Sequence, residues 1–158
     1  TAEIMNASRE DLFGELEPFR ESFLGAEKIL WLADNAGEIV IDQLLMAFVD
    51  PERITVAVRG RPILNDATLA DAEETGLASI YRVIENGSDA PGTILEDCSP
   101  EFRDAFQRAD LIISKGQGNY ETLSSLPDHR IFYLLKAKCP VIARDIGCEV
   151  GRLVIRQR

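Results

Sequence analysis

The sequence lacks the features that mark secreted or membrane proteins. Its three cysteines have no C-x-x-C spacing and only one histidine accompanies them, so neither a disulfide framework nor a zinc finger is expected. Asp, Gly, Arg or Lys interrupts every apolar run before it reaches the roughly 20 residues that a bilayer span requires. No basic segment followed by an apolar one opens the chain, so no secretory signal is visible. We therefore expect a cytoplasmic protein with no membrane partner.

Positive charge is also scarce. Lys and Arg number 17 against 27 Asp and Glu, which gives a formal net charge of −10. Such a surface repels nucleic-acid phosphates unless a basic patch is segregated on one face, and no such patch is visible. A nucleic-acid partner is therefore not expected, and the sequence carries no signal for an oligomeric state. An acidic protein that handles an anionic substrate needs local neutralisation, which a bound cation can supply.

The fold class follows from the alternation of two patterns. The 158 residues, 46% hydrophobic and 28% charged, have the balance of one globular domain. Strands are predicted at residues 28–33, 54–58, 79–84, 111–114, 131–135, 141–143 and 153–155, with the last as an edge strand and helical patterns between the earlier ones. Strands separated by helices predict right-handed crossovers. We expect a three-layer α/β/α, doubly wound, mainly parallel sheet of Rossmann-like type.

Three segments carry more specific helical predictions. Residues 9–23 are expected to form an amphipathic helix within a helical lead-in at 1–27, ahead of the α/β domain at 28–158. Ser99 is predicted to cap a helix that runs to Ala109, with Pro100 in its first position. After the first core strand, one spacing indicates a buried helix face that comprises Ile39, Ile41, Leu44, Leu45 and Phe48.

Polar residues concentrate in three loops at predicted strand ends. The loops are Asp34-Asn-Ala-Gly-Glu38, Asn65-Asp66-Ala67 and Lys115-Gly-Gln-Gly-Asn119. In doubly wound sheets, ligands bind beyond the carboxyl ends of the strands, where such loops converge. Carboxylate and carboxamide oxygens suit a hard cation such as Mg²⁺ or Mn²⁺, and a lysine offers a point charge to a phosphate. The loops therefore predict a phosphoryl-transfer site.

Each loop also has a purely structural interpretation. Asp34, Asn35 or Asp66 can cap the helix that follows its loop, because short polar side chains accept hydrogen bonds from the first helical N–H groups. Lys115 and Gly116 can form an ordinary turn between strand and helix. The glycines can instead let backbone N–H groups approach an oxyanion at a helix N-terminus. Their joint placement on converging loops favours a functional interpretation.

The three loops, in this order, resemble the damage-control phosphatase family, also called the acidic-residue methyltransferase-like domain family. The resemblance covers about residues 28–143 and includes the Pro-Ile-Leu-Asn-Asp-Ala-Thr run at 62–68 and the segment 134–139. It implies a Rossmann-like core and metal-dependent hydrolysis of small phosphorylated metabolites, such as sugar phosphates, phosphopantetheine-like compounds and damaged metabolites. Family members usually carry a larger helical region ahead of the core, of which residues 1–27 are expected to be a remnant.

The resemblance also implies roles for individual residues. Asp34, Asn35 and Asp66 match ligands of a divalent metal (Mn, Mg, Co or Ni), and together with Lys115 they are the expected catalytic residues. Lys115 also matches the lysine at the substrate phosphate. The neighbouring motif positions expected to bind substrate are Glu38, Gly116 and Asn119.

Two other functions and one other phosphatase mechanism stay open at this point. A nucleotide-binding Rossmann-like module would use the same topological position, although no G-x-G-x-x-G follows the first strand. An S-adenosylmethionine-dependent carboxyl methyltransferase would need a glycine-rich cofactor loop that is not evident. A phosphatase with Asp34 as nucleophile usually has a second acid two residues later, where this chain has Ala36.

Overall fold

A computed structural model describes residues 12–157. Seven strands form one sheet in the order β1-β7-β6-β5-β2-β3-β4. The strands are β1 (Leu12–Gly14), β2 (Ile29–Leu32), β3 (Ile54–Val58), β4 (Arg82–Glu85), β5 (Leu111–Lys115), β6 (Ile131–Lys136) and β7 (Leu153–Gln157). The helices are α1 (Leu16–Gly25), α2 (Glu38–Met46), α3 (Leu69–Glu74), α4 (Pro100–Arg108), α5 (Gly116–Leu123) and α6 (Pro140–Ile146).

The sheet is mainly parallel, which confirms the predicted fold class. Strands β2 to β6 pair in parallel, β7 pairs antiparallel with β6, and β1 pairs parallel with β7. All four residues of β2 are buried, because a parallel sheet is covered on both faces. Ile29 and Trp31 join the hydrophobic cluster under α1, α2 and α3. Leu30 and Leu32 join the cluster under α4, α5 and α6.

The segment ahead of β2 differs from the predicted helix at 9–23. Residues 9–11 lie outside the described part of the chain, Leu12–Gly14 is a strand, and α1 begins only at Leu16. Gly14 has a φ of +122°, and a Cβ there would come within 1.9 Å of the Ile155 carbonyl oxygen. Strand pairing with β7 therefore overrides the helical pattern here. The proposed division at residues 27 and 28 stays a prediction.

One strand prediction and one edge assignment in the C-terminal half are wrong. Residues 141–143 lie in α6, where Pro140 occupies the first helical turn and Ile142, Ala143 and Ile146 are buried. A short apolar run alone does not distinguish a strand from a buried helix. Strand β7 is not at the edge either, since β1 lies outside it.

Other boundaries lie closer to the predictions. The third core strand begins at Arg82 rather than Ser79, after a 3₁₀ turn at Leu77–Ser79. The predicted start of α4 is confirmed, because the Ser99 Oγ accepts a hydrogen bond from the Phe102 N–H at 3.1 Å.

No helix within residues 12–157 is long and apolar enough to cross a membrane. The three cysteines are free thiols in this structure.

The predicted buried face of α2 is correct only in part. Ile39 is buried, and Leu45 packs against the same hydrophobic cluster. The other predicted residues, Ile41, Leu44 and Phe48, are 48%, 71% and 73% exposed, whereas Asp42 and Met46 are buried. On the buried side, the Asp42 carboxylate accepts a hydrogen bond from the Trp31 Nε1–H at 3.1 Å. An acidic side chain thus faces the sheet, and an apolar stripe of the same helix faces outward.

Candidate active site

The candidate site lies at the carboxyl ends of three adjacent strands, β5, β2 and β3. From β2 the chain passes to β3 on one side and later returns to β5 on the other, so the strand order reverses between β2 and β5. Ligands bind at such a switch point in doubly wound sheets. Asp34 and Asn35 follow β2, Asp66 follows β3, and Lys115 ends β5. The predicted residues therefore come from three neighbouring loops.

Backbone contacts join the first two loops directly. Asn35 and Asp66 form an isolated antiparallel β-bridge. The Ala67 N–H donates to the Asp34 carbonyl oxygen at 2.7 Å, and the Ala36 N–H donates to the Asn65 carbonyl oxygen at 2.9 Å. The structure thus places the three predicted metal ligands side by side.

Gly116 brings the third loop against Asp34. Its φ is +79°, and a Cβ built there would lie 2.0 Å from the Asp34 Oδ2. Only glycine leaves room for this carboxylate at the start of α5. Gly116 therefore lies at the site, where the lack of a side chain on this residue leaves room for the Asp34 carboxylate.

The charges around Asp34 favour a bound cation. Burial, with the Asp66 and Glu38 carboxylates, raises the pKa of Asp34 to about 6, against the opposing charges of Arg59 and Lys138. The folded protein therefore binds this proton more tightly than the unfolded chain does. The contribution of Asp34 to the stability of the metal-free protein is therefore full below pH 3.8 and is lost as the pH rises through about 6.

Asn35 links Asp34 to Glu38 through its amide nitrogen. Its Nδ2 donates to the Asp34 Oδ2 at 3.0 Å and to the Glu38 Oε1 at 2.6 Å. The amide oxygen is consequently the atom that Asn35 can offer to a cation. Neither Asp34 nor Asn35 accepts a side-chain cap bond at the start of α2, whose cap position is Gly37.

Lys115 forms ion pairs with Glu38 and with a buried acid, Asp42. Its Nζ lies 2.5 Å from the Asp42 Oδ1 and 3.3 Å from the Glu38 Oε2, and its side chain is 13% exposed. Burial lowers the pKa of Lys115, but the charges and hydrogen bonds of Asp42 and Glu38 raise it more, so the group remains protonated. The sequence interpretation did not identify Asp42. An acid within the otherwise apolar i, i+3, i+7 set of α2 was the available signal.

A buried arginine behind Asp66 was also missed. The Arg59 Nε donates to the Asp66 Oδ2 at 2.7 Å, and the two side chains are 4% and 8% exposed. Its other nitrogens donate to the Gly92 carbonyl and, at 3.2 Å, to the Asn119 Oδ1. Arg59 directly follows the buried strand β3, and this position was the signal in the sequence.

Asn119 lies behind the site and not at its opening. It is fully buried, and its Nδ2 donates to the carbonyl oxygens of Ala33 and Lys115 at 3.3 and 2.8 Å. Its Oδ1 accepts from Arg59 and from the Thr93 Oγ1 at 3.2 and 2.8 Å. Both of its polar atoms are used within the protein, so the predicted contact with substrate has no support in this geometry. Asn119 instead connects the loops after β2, β3 and β5 through its hydrogen bonds to Ala33, Arg59 and Lys115.

The donor set fits a hard divalent cation. It contains two carboxylates and one carboxamide, and such oxygen ligands suit Mg²⁺ or Mn²⁺, which retain several waters. Within residues 12–157 no cluster of three or more His, Cys, Asp or Glu is arranged to hold a metal, and the two carboxylates of this set are accompanied by a carboxamide. Arg59 occupies one Asp66 oxygen and leaves the other for a cation.

A separate cavity of about 550 Å³ lies at the amino ends of the strands, opposite the candidate site. It is lined by residues that include Lys28, Arg53, Thr55 and Arg82, which lie at or just before the amino ends of β2, β3 and β4. This cavity does not contain any of the predicted site residues. Geometry and donor chemistry, rather than cavity size, therefore identify the candidate site.

Comparison with known proteins shows the family of the chain. Residues 2–154 match the family model of the damage-control phosphatase ARMT1-like domain. The chain belongs to this family. A damage-control phosphatase (PH1575) of Pyrococcus horikoshii is 45% identical over 132 residues, which are 82% of this chain and 46% of that protein. A damage-control phosphatase of Archaeoglobus fulgidus is 44% identical over 136 residues, or 84% of this chain and 47% of the relative.

Similarity extends to a solved structure. The crystal structure of a DUF89 family protein (PH1575) from Pyrococcus horikoshii superposes with a TM-score of 0.88 at 38% identity, covering 99% of this chain and 55% of that one. An uncharacterized protein of Methanocaldococcus jannaschii, MJ0202, is 49% identical over 84% of this chain and 45% of its own length. The chain thus spans about half the length of the relatives that it matches.

Proposed function

We propose that the intact protein is a metal-dependent phosphatase that hydrolyses phosphate monoesters of small metabolites. The observation that carries this proposal is the joining of Asp34, Asn35 and Asp66 beside a protonated lysine at the topological switch point. Relatives named damage-control phosphatases support the reaction class. Sugar phosphates, phosphopantetheine-like compounds and damaged metabolites are the substrate classes that we propose.

Asp34, Asn35 and Asp66 would hold the divalent cation. When bound, such a cation supplies positive charge against the phosphoryl oxygens as negative charge develops on them. The protein keeps the three ligands in place through the Asn35–Asp66 bridge and the Arg59 ion pair. This fixed arrangement limits the reorganisation required during the reaction.

Lys115 would contact the substrate phosphate from the neighbouring loop. Its ammonium lies at the carboxyl end of β5, where it contacts the Glu38 Oε2 at 3.3 Å. The Glu38 side chain is 42% exposed, so an entering phosphate oxygen can replace this contact at small cost. Glu38 then remains bonded to Asn35 and borders the substrate position.

The substrate class is tested by phosphate release from a panel of small phosphomonoesters with Mn²⁺, Mg²⁺, Co²⁺ or Ni²⁺. We expect metal-dependent release from at least one sugar phosphate or phosphopantetheine-like compound. Failure with every substrate and metal would contradict the proposal. Stabilisation by NAD, ATP or S-adenosylmethionine in such a protein would instead favour a nucleotide-binding module or a methyltransferase.

Replacement of Lys115 by alanine separates phosphate recognition from metal binding. If the ammonium contacts charge that develops in the transition state, kcat/KM should fall on the order of a hundredfold, or about 2.7 kcal/mol. Calorimetric Mn²⁺ affinity should change little. Lys28→Ala, at the exposed amino end of β2, is the matched control. Wild-type kcat and KM in Lys115→Ala would remove the lysine from the site.

A further inference from the structure

Asp42 occupies an unusual position for an acid. It lies in the second turn of α2, is 7% exposed, and faces the sheet together with Ile39 and Met46. One carboxylate oxygen lies 2.5 Å from the Lys115 Nζ, and the other accepts the Trp31 Nε1–H at 3.1 Å. Both oxygens are therefore held by donors, one from β5 and one from β2.

The buried ammonium of Lys115 needs a negative charge beside it, and Asp42 supplies one. A lysine ammonium sits on a flexible four-carbon stem and readily loses its proton when it is buried without a counter-charge. The groups that face Lys115 are Glu38 and Asp42 from α2 and, at 6.0 Å, the Trp31 ring from β2. Glu38 is 42% exposed, whereas the Asp42 side chain is 8% exposed. Asp42 is consequently the counter-charge that is shielded from solvent.

We propose that Asp42 is a positioning residue for Lys115: it holds the ammonium charged and in place while the Glu38 contact is exchanged for a phosphate oxygen. The inference rests on the proposed phosphatase function. It assigns to Asp42 an effect that is exerted through the lysine and not through contact with substrate. A purely structural role, in which Asp42 only anchors α2 to β2 through Trp31, makes a different prediction.

A double-mutant cycle distinguishes the two roles. The proteins are the intact wild type, Asp42→Asn, Lys115→Ala and the double variant, assayed at saturating Mn²⁺ with the best substrate of the panel. Asparagine retains the shape and an acceptor for Trp31 but removes the charge. We expect Asp42→Asn to lower kcat/KM on the order of tenfold in the wild-type background. In the Lys115→Ala background it should change kcat/KM by less than about twofold.

The second comparison does not need the single Asp42 variant to fold. Lys115→Ala and the double variant both lack the buried ammonium, so they can be compared directly if Asp42→Asn alone is too unstable. A tenfold loss that persists in the Lys115→Ala background would overturn the positioning role. Metal-dependent phosphate release by the wild type would in that case still support the phosphatase function, so the two failures are distinguishable.

Trp31→Phe provides the structural control. It removes the second hydrogen bond to Asp42 and reduces packing in the core, but it leaves the carboxylate and the ammonium together. We expect a lower melting temperature with kcat/KM within about threefold of wild type. If Trp31→Phe reduced kcat/KM as much as Asp42→Asn, anchoring of α2 would explain both losses and the proposal would be wrong.

Discussion

Replacement of Asp34 by alanine should abolish stabilisation by Mn²⁺ and lower kcat/KM by about a thousandfold, or about 4 kcal/mol. Asp34 and Asp66 are the two anionic ligands that we assign to the cation. A hard cation bound mainly by carboxylate oxygens loses much of its affinity with either one. Calorimetry with Mn²⁺ and initial rates of phosphate release measure the two effects separately.

Loss of folding should not account for this result. Ionised Asp34 destabilises the metal-free protein near neutral pH, because its pKa is raised to about 6 in the folded state. The metal-free variant should therefore unfold at no lower urea concentration than metal-free wild type. Asp104→Ala, which removes a 64% exposed acid of α4, should leave Mn²⁺ affinity unchanged. Wild-type Mn²⁺ affinity in Asp34→Ala would refute the ligand assignment.

Replacement of Arg59 by methionine should lower the free energy of unfolding by about 3 to 5 kcal/mol. The guanidinium is the buried partner of Asp66, and its removal leaves that carboxylate in a poorly solvated position. It also removes donors from Asn119 and from the Gly92 carbonyl. Methionine retains much of the side-chain volume, so the loss reports mainly on charge and hydrogen bonds. Urea unfolding of the metal-free protein measures it.

Arg82→Met is the matched control for this variant. Arg82 pairs with Glu101 at 2.9 Å, close to the 2.7 Å of the Arg59–Asp66 pair, but the Arg82 and Glu101 side chains are 63% and 60% exposed. An exposed pair is screened by water, so its loss should cost less than about 1 kcal/mol. Equal losses in the two variants would show that burial does not determine the contribution of the Arg59 pair.

The main architecture could be predicted because its signals are local. The parallel core strands appear in the sequence as short apolar runs, and the loop after each strand begins at the carboxyl ends of the sheet. Residues 34–38, 65–67 and 115–119 could therefore be expected to converge without knowledge of any side-chain contact. The structure brings Asp34, Asn35 and Asp66 together as this topology requires.

The missed features depend on contacts between distant residues. An apolar run of three residues, such as 141–143, is too short to show whether its pattern has the period of a strand or of a helix. In the structure, Pro140 occupies the first turn of a helix that includes this run. The place of Asp42 on the buried face of α2 reflects contacts with donors from β2 and β5 that lie 11 and 73 positions away. Arg59 and Asn119 are 60 positions apart and acquire their roles only by contact.

The most direct test of the central claim is phosphate release by the intact protein after removal of divalent metal with a chelator, followed by titration with Mn²⁺. We predict no turnover in the metal-free protein and recovery that saturates with occupancy of one site, while Asp66→Ala stays inactive at the same Mn²⁺ concentrations. Undiminished phosphate release by the metal-free wild type would contradict a cation held by Asp34, Asn35 and Asp66 as the basis of catalysis.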